Sequence, residues 1–190
     1  MSKVDLGRLL EESGAILRGH FLLTSGRHSD VYFEKFRVLE QPRVLSALCA
    51  EIADRFRDKA DLVAGPTTGG IIIAFEVARQ LGLPAVYVES EDGVRVLRRG
   101  ATIEGSSRVL VVDDVLTTGR SVFEVLEVVR AAGGHPAGVG VLIDRAQDPI
   151  DFRCPFFAAH QVQAQSFAPD EVPEWLMQIP VQKPGTRRFS

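Results

Sequence analysis

The sequence predicts an α/β fold: a mostly parallel five-stranded sheet with helices on both faces, and a small hood from the N- and C-terminal segments. Short apolar runs alternate with segments of helical periodicity between residues 42 and 144, which is typical of βαβ units and a parallel sheet. The wholly apolar run at residues 109–112 is expected of a strand that is buried on both faces. Because crossovers between parallel strands are right-handed, helices are expected on both sides of the sheet.

A single domain is expected for 190 residues, with the core at about 42–148 and the hood at about 1–40 and 150–190. The net charge of −3 gives no general attraction to nucleic acid or to an anionic membrane. The charged N-terminal segment lacks the apolar stretch of a secretory signal, so a cytoplasmic location is expected. Cys49 and Cys154 lie far apart and outside any CxxC arrangement, which argues against a disulfide framework or a zinc site.

The N-terminal elements follow from local patterning. Residues 3–13 carry apolar positions at helical spacing, and Gly14 ends the helix. Residues 15–38 alternate in places and contain a Thr-Ser-Gly-Arg turn, which predicts two strands joined by a turn. A helix begins at Pro42, which suits a first helical turn, and runs to about Lys59.

The main sheet is predicted from apolar runs that are separated by helices. Four of its five strands are expected at residues 61–64, 84–89, 109–112 and 137–143. Its helices are expected at residues 71–81 and 118–132. The charged segment 90–105 predicts a surface loop with at most one hairpin, and the segment 150–190 predicts a cover or arm outside the sheet.

The strongest chemical signal is the segment RVLVVDDVLTTGRS, at residues 108–121. An apolar strand leads directly into two carboxylates, Asp113 and Asp114, and a turn of hydroxyls and glycine at 117–121 then opens a helix. The start of a helix offers unpaired N–H groups and a partial positive charge, which suit a phosphate. The carboxylates instead suit hydroxyls and a hydrated divalent cation, so the combination points to a ribose 5-phosphate with a pyrophosphate at C1. A polar strand end followed by an ordinary helix cap is the plainer alternative.

Two further strand ends carry unusual residues, at the edge of a parallel sheet where ligands bind. The turn GPTTGG at residues 65–70 lets backbone approach an anion closely, because glycine has no Cβ. A tight connection between strand and helix would use the same residues. Asp144 and Arg145 close another apolar run. Either the strand reaches solvent there, or Arg145 points over the sheet, where its guanidinium suits a carboxylate.

These motifs resemble those of known enzymes. The block at 113–121 resembles the signature of the type I phosphoribosyltransferases. Four further segments match in the same order and at similar spacing: HFLLTSGRHS at 20–29, the glycine turn at 65–70, the pair at 144–145, and IPVQKPGTR at 179–187. With them, the chain resembles the orotate phosphoribosyltransferases over nearly its whole length.

The resemblance implies Mg²⁺-dependent transfer of a phosphoribosyl group from phosphoribosyl pyrophosphate (PRPP) to orotate, which gives orotidine 5′-monophosphate and pyrophosphate. It implies no direct protein ligand for Mg²⁺, which PRPP and water would mainly carry. It also implies a homodimer that shares the loop at residues 89–100 across its interface.

The resemblance also implies roles for individual residues. The catalytic residues are Asp113, Asp114, Arg98 and Arg99. The PRPP-binding residues are Thr68, Gly69, Arg95, Asp113, Asp114, Val115, Leu116, Thr117, Thr118, Gly119, Arg120 and Ser121. The residues that contact or flank orotate are Tyr32, Phe33, Thr117 and Arg145. For the two aromatic residues, stacking on a pyrimidine and half-buried strand packing are both open.

The chain departs from the family pattern at three positions. Ser90 stands where a basic residue is usual even in the shorter, LRRG form of the loop; Asp113 stands where Glu is more frequent; Asp30 stands where Pro is usual. Glu89, Glu91 and Asp92 would oppose a pyrophosphate unless they face away.

Two other functions fit the same motifs. A phosphoribosyltransferase for a purine, xanthine or uracil would not need Arg145, since those bases lack a carboxylate. A regulatory protein could have kept the PRPP pocket without turnover.

Overall fold

The computed structural model describes residues 5–23, 25–162 and 164–184. The helices in these ranges are α1 (Leu6–Glu12), α2 (Lys35–Leu39), α3 (Pro42–Phe56), α4 (Gly69–Leu81), α5 (Arg120–Ala131) and α6 (Glu174–Met177). The strands are β1 (Ile16–Leu22), β2 (His28–Phe33), β3 (Leu62–Pro66), β4 (Ala85–Glu91), β5 (Val94–Leu97), β6 (Arg108–Leu116), β7 (His135–Asp144), β8 (Phe156–Gln161), β9 (Ser166–Phe167) and β10 (Val181–Gln182). Within these ranges, no helix is long and apolar enough to cross a lipid bilayer.

The main sheet has the strand order β5-β4-β3-β6-β7-β8. Neighbouring strands from β4 to β8 are parallel, and β5 runs antiparallel to β4 as the second strand of a hairpin. The predicted mostly parallel sheet is confirmed, but it has six strands within the described residues instead of five. The hairpin is the one that the sequence allowed for in the segment 90–105.

The sixth strand corrects the prediction for residues 150–190. β8 pairs in parallel with β7, so Ile143 lies opposite His160, and this part of the segment belongs to the sheet and not to a cover. The strand was missed because its residues are half-buried at the sheet edge. An edge strand with one open side does not need the long apolar run that marks a central strand.

Two apolar layers cover the sheet, as predicted. Alternate residues of a strand point to opposite faces. Leu110 and Val112 of β6 therefore pack in the layer formed with α3 and α4. Val109 and Val111 pack in the opposite layer, with the inner face of α5.

The hood is a separate four-stranded sheet with the order β10-β1-β2-β9. β1 and β2 form the predicted pair of strands joined by a turn, whose residue Thr24 lies outside the described residues. The guanidinium of Arg27 donates to the side chain and the carbonyl of Ser166, each at 2.7 Å. The backbone N–H of Gln165 donates to Asp30 at 3.0 Å, and the hydroxyl of Ser29 donates to the carbonyl of Gln165 at 2.9 Å. Both terminal segments therefore contribute to the hood, as predicted.

Candidate active site

The aspartate pair lies inside β6, not after its end. Asp113 and Asp114 are 5% and 9% exposed. The hydroxyl of Ser121 donates to Oδ2 of Asp113 at 2.5 Å, and the N–H of Asp114 donates to its Oδ1 at 2.8 Å. Because the strand alternates, Asp114 faces the other way, and its Oδ1 accepts from the N–H of Val115 at 2.7 Å. Each carboxylate is therefore held in place by hydrogen bonds from residues close to it in the sequence.

Burial has a clear electrostatic consequence at this pair. It raises the pKa of Asp113 to about 6, and the adjacent charge of Asp114 acts in the same direction. The hydrogen bonds from Ser121 and from the backbone N–H oppose the rise, because they stabilise the ionised form. Asp113 therefore changes its charge close to neutral pH.

A lysine that sequence reasoning missed contacts the second carboxylate. The ammonium of Lys35 lies 2.8 Å from Oδ2 of Asp114. Lys35 begins α2, a five-residue helix whose start is capped by the Glu34 carboxylate, which accepts from the N–H of Phe36. A helix this short leaves no periodic pattern in the sequence. A single basic residue, in the segment YFEKF, did not indicate a binding or catalytic site.

The glycine turn at residues 65–70 lies against the aspartate pair. β3 and β6 are parallel neighbours, so their carboxyl ends meet at one edge of the sheet. A Cβ atom at Gly69 would collide with Oδ2 of Asp114, and one at Gly70 would collide with the ring of Pro66. The peptide bond between Thr67 and Thr68 is cis. Only glycine permits this close approach of backbone to carboxylate.

The start of α5 has the features expected of a phosphate site. Gly119 precedes the helix with φ of 75°, a left-handed conformation that favours glycine. Among the described residues, no side chain caps the helix N-terminus. Its first N–H groups and the positive end of its dipole therefore face the turn formed by Thr117 and Thr118.

A cavity of about 890 Å³ lies between the hood and this edge of the sheet. Its walls include Arg27 and Ser29 from the hood, Thr117 and Thr118 from the turn before α5, and Tyr32 and Arg145. A second cleft of about 750 Å³ shares the Arg145 wall. Tyr32 and Arg145, which the sequence predicts for the base, thus share one cavity with Thr117 and Thr118 of the predicted phosphate turn.

Arg145 projects into these spaces from the end of β7. Its Nε is buried and has no hydrogen-bond partner among the described residues, and burial lowers the pKa of the guanidinium. The neighbouring carboxylate of Asp144 is turned elsewhere, since it accepts from the N–H of Ala146 at 2.9 Å and from the amide of Gln161 at 3.3 Å. A buried donor without a partner is costly, so this position favours an anionic ligand.

The two aromatic residues of β2, Tyr32 and Phe33, lie on opposite faces of the strand. Tyr32 lines the cavity, whereas Phe33 is 6% exposed and packs in the core layer of α3 and α4. The sequence prediction that placed Phe33 near the base is therefore corrected, because adjacent residues of a strand face opposite sides. Val31 and Phe33 are buried and Tyr32 between them is less so. The alternation expected of a strand could therefore have separated Phe33 from Tyr32 in the prediction.

The predicted basic loop is the β4–β5 hairpin with the turn that follows it. Arg98 pairs with Glu91 at 3.3 Å, and Arg99 pairs with Glu89 at 2.8 Å. The hydrogen bond from Arg99 lowers the pKa of Glu89. Two of the three acids that would oppose a pyrophosphate, Glu89 and Glu91, thus bind the arginines of their own hairpin.

Arg95 lies closer to the glycine turn than these two arginines. It donates to the carbonyl of Thr67 at 3.2 Å and pairs with Glu124 of α5 at the same distance. It therefore links the hairpin, the turn and the phosphate-side helix.

A helix start without a side-chain cap beside a buried aspartate pair, on this sheet, is typical of a phosphoribosyltransferase. The family model for the phosphoribosyl transferase domain matches residues 37–171. The chain is 46% identical to the orotate phosphoribosyltransferase of Pelotomaculum thermopropionicum and 43% identical to that of Caldanaerobacter subterraneus, over the whole length of both chains in each case. Its fold is similar to the crystal structure of orotate phosphoribosyltransferase from Aeropyrum pernix. That match has a TM-score of 0.68 and 29% identity over 83% of this chain and 93% of the other. The chain belongs to the orotate phosphoribosyltransferase family, as the sequence motifs predicted.

Proposed function

We propose that this protein, acting as a single phosphoribosyltransferase domain in each protomer, transfers the phosphoribosyl group of PRPP to orotate with the residues assigned below. The observation that carries the choice of orotate is the buried, unpaired Nε of Arg145 at the cavity wall. Orotate bears a carboxylate that a guanidinium binds through two parallel hydrogen bonds. Adenine, xanthine and uracil have no such group. The names of the similar proteins agree with this choice.

The reaction needs positioning and charge stabilisation more than a nucleophilic side chain. The bond between C1 of the ribose and the pyrophosphate oxygen breaks, and its electron pair leaves with pyrophosphate. The bond between C1 and the N1 nitrogen of orotate forms, and the N1 proton is released to solvent. Positive charge develops on the sugar, and negative charge develops on the leaving group.

Asp113 and Asp114 are assigned to the ribose. Their carboxylates accept hydrogen bonds from the 2′- and 3′-hydroxyls and offset the positive charge that develops on the sugar. The turn that follows, from Val115 and Leu116 through Thr117, Thr118, Gly119, Arg120 and Ser121, binds the 5-phosphate with backbone N–H groups and hydroxyls.

The base is assigned to the cavity under the hood. The guanidinium of Arg145 binds the orotate carboxylate, Thr117 donates to the ring, and Tyr32 packs against it. Phe33 has no part in this assignment.

The pyrophosphate is assigned to the opposite side of the aspartate pair. The backbone at Thr68 and Gly69 approaches it, and Arg95 is held beside that turn. Arg98 and Arg99 exchange their glutamate partners for pyrophosphate oxygens when the hairpin closes and excludes water. The hairpin is shared across a homodimer interface in this proposal.

The residues present fit a Mg²⁺ ion that is carried mainly by the substrate. Among the described residues, no group of three or more His, Cys, Asp or Glu is arranged to hold a metal. The two carboxylates of Asp113 and Asp114 can meet its water shell, in keeping with the few protein ligands that Mg²⁺ takes. When bound, Mg²⁺ would neutralise part of the charge on the pyrophosphate.

The test is orotate consumption, followed by its ultraviolet absorbance with PRPP and Mg²⁺, alongside adenine, xanthine and uracil as acceptors. Turnover with orotate alone supports the proposal. Arg145→Gln is expected to raise KM for orotate at least tenfold and to leave PRPP binding unchanged, since one charged hydrogen-bonding group is worth roughly 1.5–3 kcal/mol. Arg57→Gln, on the exposed end of α3, is the matched control.

Two results would overturn the assignment. Turnover with another base, undiminished by Arg145→Gln, would indicate a different acceptor. PRPP binding without turnover of any base would indicate the regulatory function.

A further inference from the structure

Lys35 occupies the junction between the two halves of the PRPP site. Its ammonium contacts Oδ2 of Asp114, the same oxygen against which the backbone of Gly69 is packed. Lys35, Thr68 and Gly69 also line one open cleft of about 510 Å³. The ammonium is therefore adjacent both to the carboxylate assigned to the ribose and to the turn assigned to the pyrophosphate.

The Lys35 side chain keeps access to a ligand. The Lys35 side chain is 42% exposed, whereas the side chain of Asp114, taken without its backbone, is 12% exposed. An ammonium has three N–H donors that rotate freely. Lys35 can thus keep one hydrogen bond to Asp114 and direct a second into the cleft.

Other cations of the region are engaged elsewhere. Arg98 and Arg99 pair with Glu91 and Glu89 of their hairpin, and Arg95 pairs with Glu124. Ser90 adds no charge at its position. A cation beside the carboxylate assigned to the ribose has a clear use in this chain, because the leaving group carries several negative charges.

The geometry of the sugar supplies the remaining step. In PRPP, the pyrophosphate is attached to C1 and the 2′-hydroxyl to C2, which are neighbouring atoms. A group that contacts a carboxylate bound to the ribose diol therefore lies within reach of the pyrophosphate. We propose that Lys35 is a binding and catalytic residue of this enzyme, which donates a hydrogen bond to the pyrophosphate of PRPP while it holds Asp114 in place.

This inference rests on the proposed function, and it assigns Lys35 a part in one defined event. When the C1–O bond breaks, its electron pair passes to the pyrophosphate oxygen. The Lys35 ammonium stabilises that added charge without giving up its proton. No further reactant is required.

The experiment measures binding of two probes by calorimetry: magnesium pyrophosphate and ribose 5-phosphate. Lys35→Met is compared with the wild-type protein and with Lys59→Met, a control at the end of α3, where the ammonium donates to the carbonyl of Arg55. Lys35→Met is expected to weaken pyrophosphate binding roughly tenfold to a hundredfold, the value of one charged hydrogen bond. In Lys35→Met, ribose 5-phosphate binding is expected to change less than about threefold. Lys59→Met is expected to change the binding of neither probe.

A positioning role through Asp114 alone predicts a different pattern. Equal weakening of both probes, or weakening of ribose 5-phosphate alone, would overturn a contact with pyrophosphate. So would unchanged pyrophosphate binding. Lys35→Arg keeps the charge and is expected to recover most of the lost pyrophosphate affinity; recovery no better than in Lys35→Met would also count against the proposal.

The outcome is separable from that of the proposed function. Failure of the wild-type protein to turn over orotate would reject the function, whereas the binding of pyrophosphate to Lys35→Met tests the inference without any acceptor base.

Discussion

The hydroxyl of Ser121 donates to the carboxylate of Asp113 at 2.5 Å and joins the interior of β6 to the first turn of α5. This contact couples the residue assigned to the ribose to the helix start assigned to the 5-phosphate. It also acts on the protonation of Asp113, since the hydrogen bond favours the ionised carboxylate while burial opposes it.

The first prediction concerns the pH dependence of turnover. A protonated Asp113 cannot accept from the ribose hydroxyls in the same way, so kcat/KM for PRPP is expected to rise with pH around pH 6, the value to which burial raises this pKa. Ser121→Ala removes a group that lowers the pKa, so the midpoint is expected to move to higher pH. Ser121→Thr keeps a hydroxyl and serves as the control. An unchanged midpoint in Ser121→Ala would contradict the coupling.

The second prediction concerns stability. The pKa of Asp113 is raised from 3.8 to about 6 in the folded protein, so the folded state holds a proton that the unfolded state has released. Stability is therefore lost as the pH rises from about 4 to about 6. Asp113→Asn is expected to be more stable than wild type at pH 7.5 by about 1–3 kcal/mol and to lose this advantage near pH 4. Urea unfolding at the two pH values measures it. The same difference at both values would show that the charge is not its cause.

The third prediction concerns the packing of the glycine turn. Gly69→Ala would place a Cβ against the Asp114 carboxylate, so the carboxylate must shift. Activity is expected to fall about a hundredfold, the cost of roughly 1 Å of misplacement in a site. Gly105→Ala is the matched control, because a Cβ there meets open space. Steady-state kinetics of the two variants measures the effect. An equal loss of activity in Gly69→Ala and Gly105→Ala would contradict the prediction.

The fourth prediction concerns the hairpin. Glu89 holds Arg99 at 2.8 Å in the structure and must release it before Arg99 can reach pyrophosphate. Because an exposed ion pair is screened by solvent and contributes little, Glu89→Gln is expected to lower KM for PRPP only slightly, by roughly 1.5- to 5-fold. Glu11→Gln, which breaks a pair with Arg18 on the hood, should leave KM unchanged. A higher KM in Glu89→Gln would show that the pair supports binding instead of competing with it.

Much of the fold could be predicted because the central strands are apolar on both faces. The run before Asp113 fixed the position of β6, and its register then placed the aspartates and the glycine turn at one sheet edge. β8 was missed because an edge strand carries a weaker pattern. Phe33 was misplaced although strand alternation separates it from Tyr32.

The contacts of single charged side chains were beyond prediction. Lys35 lies in α2, a helix too short to show a periodic sequence pattern, and it contacts Asp114, which is 79 positions away in the chain. The pairing of Arg98 and Arg99 with glutamates depends on hairpin register. Such contacts are set by tertiary structure, and local sequence does not encode them.

The bonds between Arg27 and Ser166 span 139 residues of sequence, so β2 cannot pair with β9 until the chain has been synthesised as far as Ser166. The phosphate-side loops are complete once β7 has been synthesised. The wall of the base cavity at Ser166 is added later, when that segment returns to β2. Long-range contacts of this kind form late because their loops must close first. A nascent chain would therefore acquire the groups that hold the sugar phosphate before the wall of the base cavity at Ser166 is in place.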